Sequence, residues 1–105
     1  MKNFIVIDCK NYKQLINNDF KRENICFVDI RNPDQIYHKL DVDYPNINIP
    51  VNKLEKNIDV LNKCVPVFYD GNGMLISYFL KKIFALKIPK SYILSCGYLT
   101  TVFAE

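Results

Sequence analysis

The apolar run Val65-Pro66-Val67-Phe68-Tyr69 ends in Asp70-Gly71-Asn72-Gly73 and passes straight into a strongly apolar stretch from Met74 to Leu86. No other stretch constrains the fold as much. Strand, tight turn and helix in immediate succession are how a parallel α/β protein builds an anion site. Loop amides and a helix N-terminus converge there on one point. In this chain the group at that point is itself an acid, Asp70.

The rest of the chain repeats the strand-then-helix pattern. Phe4 to Ile7 reads as a strand, and Asp8 can cap a helix that carries Tyr12, Leu15 and Ile16 on one face. Ile25-Cys26-Phe27-Val28 is a continuous apolar run of the kind buried on both faces of a parallel sheet. Asn32-Pro33-Asp34-Gln35 starts a short helix, with a capping box between Asn32 and Gln35 and an end near Lys39. Ile47 to Ile49 is a very short strand stopped by Pro50. Val51, Leu54, Ile58 and Leu61 then mark one face of a helix. The stretch after Gly73 is apolar on nearly every side, which predicts the most buried helix of the fold. Tyr92 to Leu94 is a last strand, and Tyr98 to Ala104 can form final helical turns. The expectation is a mostly parallel sheet of about five short strands with helices on both faces. Ligands of such sheets bind beyond the strand C-termini. That singles out Asp29-Ile30-Arg31, Tyr69-Asp70-Gly71 and Ser95-Cys96-Gly97.

With 105 residues, half of them apolar and 24% charged, the chain is expected to form a single folded domain spanning 1–105. The net charge of +3 is carried by scattered lysines, and the only arginines are Arg22 and Arg31. That distribution argues against a nucleic-acid partner. No apolar run approaches the length of a membrane span, and the N-terminus lacks a hydrophobic signal region. The four cysteines, Cys9, Cys26, Cys64 and Cys96, show no metal-ligand or redox spacing. A cytoplasmic protein with reduced thiols is therefore expected, with Cys26 a small core residue and with neither metal nor cofactor. Tyr37, Tyr44 and Tyr98 are candidate interface aromatics.

Several segments, in order, resemble rhodanese-like domains. Phe27-Val28-Asp29-Ile30-Arg31 is similar to the Asp-Val-Arg segment of that family. His38 with Ile47-Asn48-Ile49-Pro50 resembles the segment that follows it. Val67 to Gly73 looks like the strand and active-site loop, and Leu94-Ser95-Cys96-Gly97-Tyr98 looks like the terminal Leu-x-Gly-Gly. The resemblance spans nearly the whole chain and implies a rhodanese-like three-layer fold. It also implies a loop of the form Cys-x-x-Gly-x-Arg-Ser/Thr, whose cysteine carries a persulfide and whose arginine holds an anionic substrate. Aligned on Gly73, this chain has Asp70 at the cysteine, Leu75 at the arginine and Ile76 at the hydroxyl position.

These departures remove the chemistry the resemblance implies. Persulfide transfer needs a polarisable sulfur, which a carboxylate cannot supply. An aspartate can attack phosphorus or a sugar carbon, but such attack needs cationic help that Leu75 does not give. The expected function is a small binding or regulatory module, inactive as a sulfurtransferase, with a protein partner or a small thiol or sulfur compound. Its vestigial loop is Asp70, Gly71, Asn72, Gly73, Met74 and Leu75, and its candidate binding residues are Arg31 and Asp29. One alternative is weak sulfur relay from thiosulfate or a persulfide, using the thiol of Cys96 or of a partner. Another is a flavodoxin-like fold with Asp8, Asp29 and Asp70 in an acidic, Mg-binding pocket.

Overall fold

A computed structural model describes residues 3–36 and 42–96. The strands are β1 (Asn3–Ile7), β2 (Ile25–Asp29), β3 (Asn46–Asn48), β4 (Val65–Tyr69) and β5 (Lys90–Leu94). The α-helices are α1 (Cys9–Asn17), α2 (Ile58–Leu61), α3 (Met74–Tyr78) and α4 (Leu80–Phe84). The strands form one sheet in the order β1-β5-β4-β2-β3, and every pair is parallel. This sheet fits the rhodanese-like α/β fold. It does not fit the flavodoxin-like alternative, whose order 2-1-3-4-5 places the first strand inside the sheet. Here β1 is an edge.

Period-2 alternation along buried strands sends side chains to both faces and so requires cover on both. On one face, Ile7, Phe27, Val67, Tyr69, Tyr92 and Leu94 pack with Tyr12 of α1 and with Phe20. Phe20 is wholly buried, and its ring lies 4.8 Å from Tyr92 and 6.0 Å from Phe27. On the other face, Val28, Phe68 and Ile93 meet Leu54, Leu61, Ile76 and Ile83. Cys26 lies in this second core, as a small apolar residue would.

Local chemistry explains most element starts. Asp8 caps α1, accepting the Asn11 N–H at 2.9 Å. Pro33 opens a 3-10 turn, Pro33–Gln35, but the Asn32 side chain makes no capping bond. The turn is closed by the Gln35 N–H donating to the Asn32 carbonyl at 2.9 Å, so the expected capping box does not form. The predicted end of this helix near Lys39 lies outside the described residues. So do His38, Tyr37, Gly97, Tyr98 and the predicted final helical turns.

Two helical expectations change. The face Val51, Leu54, Ile58, Leu61 packs inward with Leu54 and Leu61 wholly buried. Its backbone, however, is two 3-10 turns, Val51–Lys53 and Glu55–Asn57, followed by the single turn of α2. The stretch after Gly73 is interrupted at Phe79 (φ −102°, ψ 18°) and is buried on one side, not all round. Ile76 and Ile83 face the sheet, while Met74 and Tyr78 are 71% and 81% exposed. Residues 76 and 83 are two turns apart on one side of a helix, and 74 and 78 lie together on another. A short helix on a sheet buries only one side, whatever the composition of the rest.

Candidate functional site

The C-terminal ends of β2, β4 and β5 bring together the segments Asp29-Ile30-Arg31, Asp70–Gly73 and Ser95-Cys96. Asp29 and Arg31 form a buried bidentate ion pair. The Arg31 Nη2 donates to Asp29 Oδ2 at 2.7 Å and Nε donates to Oδ1 at 3.0 Å. The Arg31 backbone N–H closes the unit by donating to Asp29 Oδ1 at 3.1 Å. Asn48, at the end of β3, donates its side-chain amide to the carbonyls of Asp29 (2.9 Å) and Arg31 (2.8 Å). Arg31 is thus held by its own loop, and its charge is opposed at contact distance. The pair stiffens the strand end.

Asp70 is 1% exposed and lies inside the turn that follows β4. Its Oδ1 accepts the Gly73 N–H at 2.6 Å. Its Oδ2 accepts the N–H of Leu75 at 2.8 Å and of Ile76 at 3.3 Å. These donors belong to the first turn of α3, whose N–H groups have no carbonyl partners within the helix. The carboxylate therefore occupies the place where such a loop would hold an anion. Asn72 adds a second local closure by accepting the Met74 N–H at 3.0 Å.

Gly73 makes this turn sterically feasible. Its φ of +87° is left-handed, and a Cβ there would sit 2.2 Å from the Ser95 carbonyl oxygen. The loop after β5 thus lies directly against the loop after β4. Ser95 is fixed in turn, because its N–H and its Oγ both donate to the Ile7 carbonyl at 3.0 Å. Cys96 follows in the same loop and is disulfide-bonded, so its sulfur is not a free thiol, contrary to the expectation of reduced thiols.

The remaining described cysteines with free thiols, Cys26 and Cys64, lie away from this end of the sheet. Burial, together with the neighbouring Cys26, pushes the Cys64 thiol up to about 12 from an ordinary 9.0. Burial also raises Cys26. Neither is poised as a thiolate nucleophile.

Outside the loop, a shallow depression of about 480 Å³ is lined by Asn72, Gly73, Met74, Ser77, Tyr78 and Ser95. Asp70 faces inward, away from it. Of the candidate site residues, the structure places Asp70, Gly73 and Leu75 in one hydrogen-bonded unit and Asp29 with Arg31 in another. The clamp made by Asn48 and the contact of Gly73 with Ser95 had no reading in sequence. The run Asp70-Gly71-Asn72-Gly73 was the local signal for the tight turn. Tyr44 is half-buried and donates its hydroxyl to the Ile16 carbonyl at 3.1 Å, a packing role. Among the described residues no three His, Cys, Asp or Glu side chains cluster as a metal site would require, and no helix is long and apolar enough to cross a membrane.

No protein-family model matches the chain, and no curated protein matches it in sequence. Among solved structures it is similar to a Rhodopseudomonas palustris protein of unknown function, described as a possible tyrosine phosphatase. The TM-score is 0.63 with 18% identity, over 96% of this chain and 81% of that one. That likeness establishes a shared α/β fold built on a parallel sheet.

Proposed function

We propose that the chain is a rhodanese-like domain whose active-site loop no longer carries sulfurtransferase chemistry. It acts as a small binding or regulatory module toward a protein partner or a small thiol or sulfur compound. The observation that carries this reading is the Asp70 carboxylate, buried and bonded to the N–H groups of Gly73, Leu75 and Ile76. The anion cradle has an internal occupant. Thiosulfate or a phosphate ester entering it would meet a fixed negative charge. Two unit charges about 4 Å apart at an effective dielectric near 20 repel by roughly 4 kcal/mol. The same charge opposes the phosphatase chemistry suggested for the structural neighbour, and Leu75 adds no compensating cation.

The test is a thiosulfate:cyanide transfer assay and a p-nitrophenyl phosphate hydrolysis assay on the wild-type chain, each with and without thiol reductant. No turnover is expected in either. Robust turnover by the wild type would overturn the proposal. Sulfur transfer that appears only on reduction and disappears in Cys96→Ser would replace it with sulfur relay through Cys96.

A further inference from the structure

The side of α3 and α4 turned away from the sheet mixes exposed apolar groups with charge of one sign. Ile76 and Ile83 both pack toward the sheet. The Phe79 N–H donates to the Leu75 carbonyl at 2.9 Å, and the Phe79 carbonyl accepts the Ile83 N–H at 3.0 Å. The helical phase therefore carries across the interruption, and the outer side runs Met74, Tyr78, Lys81 and Lys82.

Met74 and Tyr78, one turn apart, are among the most exposed large apolar residues described. The Tyr78 ring is held in place, because it lies edge-on to Phe79 with centroids 4.8 Å apart. Both residues border the depression that reaches Gly73 and Ser95, which has room for one large side chain. No Asp or Glu occurs from Gly71 to Ala104, and Lys81 and Lys82 are exposed. Lys90 is paired with Glu23, but among the described residues neither Lys81 nor Lys82 forms an ion pair.

We propose that this face docks an acidic segment of a partner protein. One apolar side chain of that segment sits in the depression against Met74 and Tyr78, and its carboxylates meet Lys81 and Lys82. Charge complementarity selects the acids. The exposed methionine and tyrosine beside a recess select a side-chain anchor, since Met and Tyr are favoured where protein surfaces meet and Met adapts its shape to what it covers. A nucleic acid fits less well, because the face carries no arginine and puts apolar groups where phosphates would lie. The helix also sets a spacing. Met74 and the two lysines are roughly 11 Å apart along the axis at 1.5 Å per residue. An extended peptide covers that distance in about three to four residues. This identifies a partner for the binding module proposed above and rests on that reading.

The test is an NMR titration of the full chain at low salt with two blocked peptides, Leu-Gly-Ser-Glu-Glu and the same residues in reverse order. At least one is expected to bind with a Kd of about 1 mM or tighter, with amide shifts concentrated between Met74 and Lys82. The double variant Lys81→Glu/Lys82→Glu should weaken binding at least about tenfold, and so should Tyr78→Ser. All three positions are exposed, so far-UV circular dichroism should not change. Peptides with lysine in place of the glutamates should not bind. The proposal is overturned if neither peptide shifts these amides, or if binding survives the double variant. It is also overturned if oligothymidylate or phosphatidylserine vesicles engage this face more tightly than the peptides do. Turnover in the transfer or hydrolysis assay would overturn the binding-module reading itself, whereas an inactive chain that ignores both peptides overturns only this docking face.

Discussion

The carboxylate of Asp70 accepts the N–H of Gly73 at 2.6 Å across three residues of chain, and the turn after β4 is wound around that bond. Two more amides of α3 point at the same side chain. A loop shape that elsewhere serves to hold an external anion is here closed on itself. The acid does not need to be a catalyst to account for its place.

Asp70→Ala leaves three converging N–H groups without their acceptor in a site that excludes water. Each buried orphan donor costs on the order of 1–3 kcal/mol, so a total loss of about 3 kcal/mol or more is expected. Asp70→Asn keeps acceptor capacity on one oxygen and should lose less. Urea unfolding of both variants checks this, and a loss below about 1 kcal/mol for the alanine variant would rule out a structural role of this size.

Gly73→Ala should be more harmful than an ordinary glycine replacement. Left-handed backbone costs an L-residue roughly 1–2 kcal/mol. The new methyl would also meet the Ser95 oxygen at 2.2 Å, which forces the two loops apart. The expected loss exceeds about 2 kcal/mol by urea unfolding. A near-neutral result would mean that the loops do not touch as described.

Removing one partner of the Asp29–Arg31 pair leaves an uncompensated buried charge, since both residues are buried. Arg31→Met is expected to cost about 3–5 kcal/mol. Arg31→Lys should not rescue it fully, because an ammonium cannot reproduce the planar two-point contact. The double variant Asp29→Asn/Arg31→Met should lose clearly less than the two single losses added together. Additive losses in that cycle would show that the two side chains are not coupled.

Alkaline pH should destabilise the fold. Burial raises Cys64 from 9.0 to about 12 and Tyr12 from 10.0 to about 12. Cys26 is raised in the same direction by burial, and the bond to Glu23 raises Lys90. Above the ordinary pKa of each group the unfolded chain holds fewer protons than the folded one, so stability falls with rising pH. The loss should begin near pH 9 with the thiols and continue toward pH 12 as Tyr12 and Lys90 join. Urea midpoints across this range measure it, and Cys26→Ala/Cys64→Ala should delay the onset. A midpoint that stays flat from pH 8.5 to 10.5 would contradict this linkage.

The strands were legible because buried parallel strands are continuous apolar runs. Val65 to Tyr69 has the same limits in sequence and in structure, and Asp8 announced its own cap. The helices were harder. Hydrophobic spacing found the face of Leu54 and Leu61, but not the one-sided burial of Ile76 and Ile83 in a stretch that reads as apolar all round. It could not show that the backbone beneath would be 3-10 turns, or broken at Phe79. Face periodicity reports which side chains are buried, and several backbone geometries satisfy the same burial.

The sequence by itself determined the alternation of strands and helices, the tight turn from Asp70 to Gly73, and the presence of an acid where such a loop would hold an anion. These are local facts, written in residues adjacent along the chain. Only the tertiary structure decided what Gly73 touches and which strand is left at an edge of the sheet. Both of those depend on contacts between distant segments: Gly73 lies against Ser95, and β1 pairs with β5 among the described residues. The filling of the cradle is local, since its three amides lie three to six residues beyond Asp70, whereas the contact of Gly73 with Ser95 joins loops far apart along the chain.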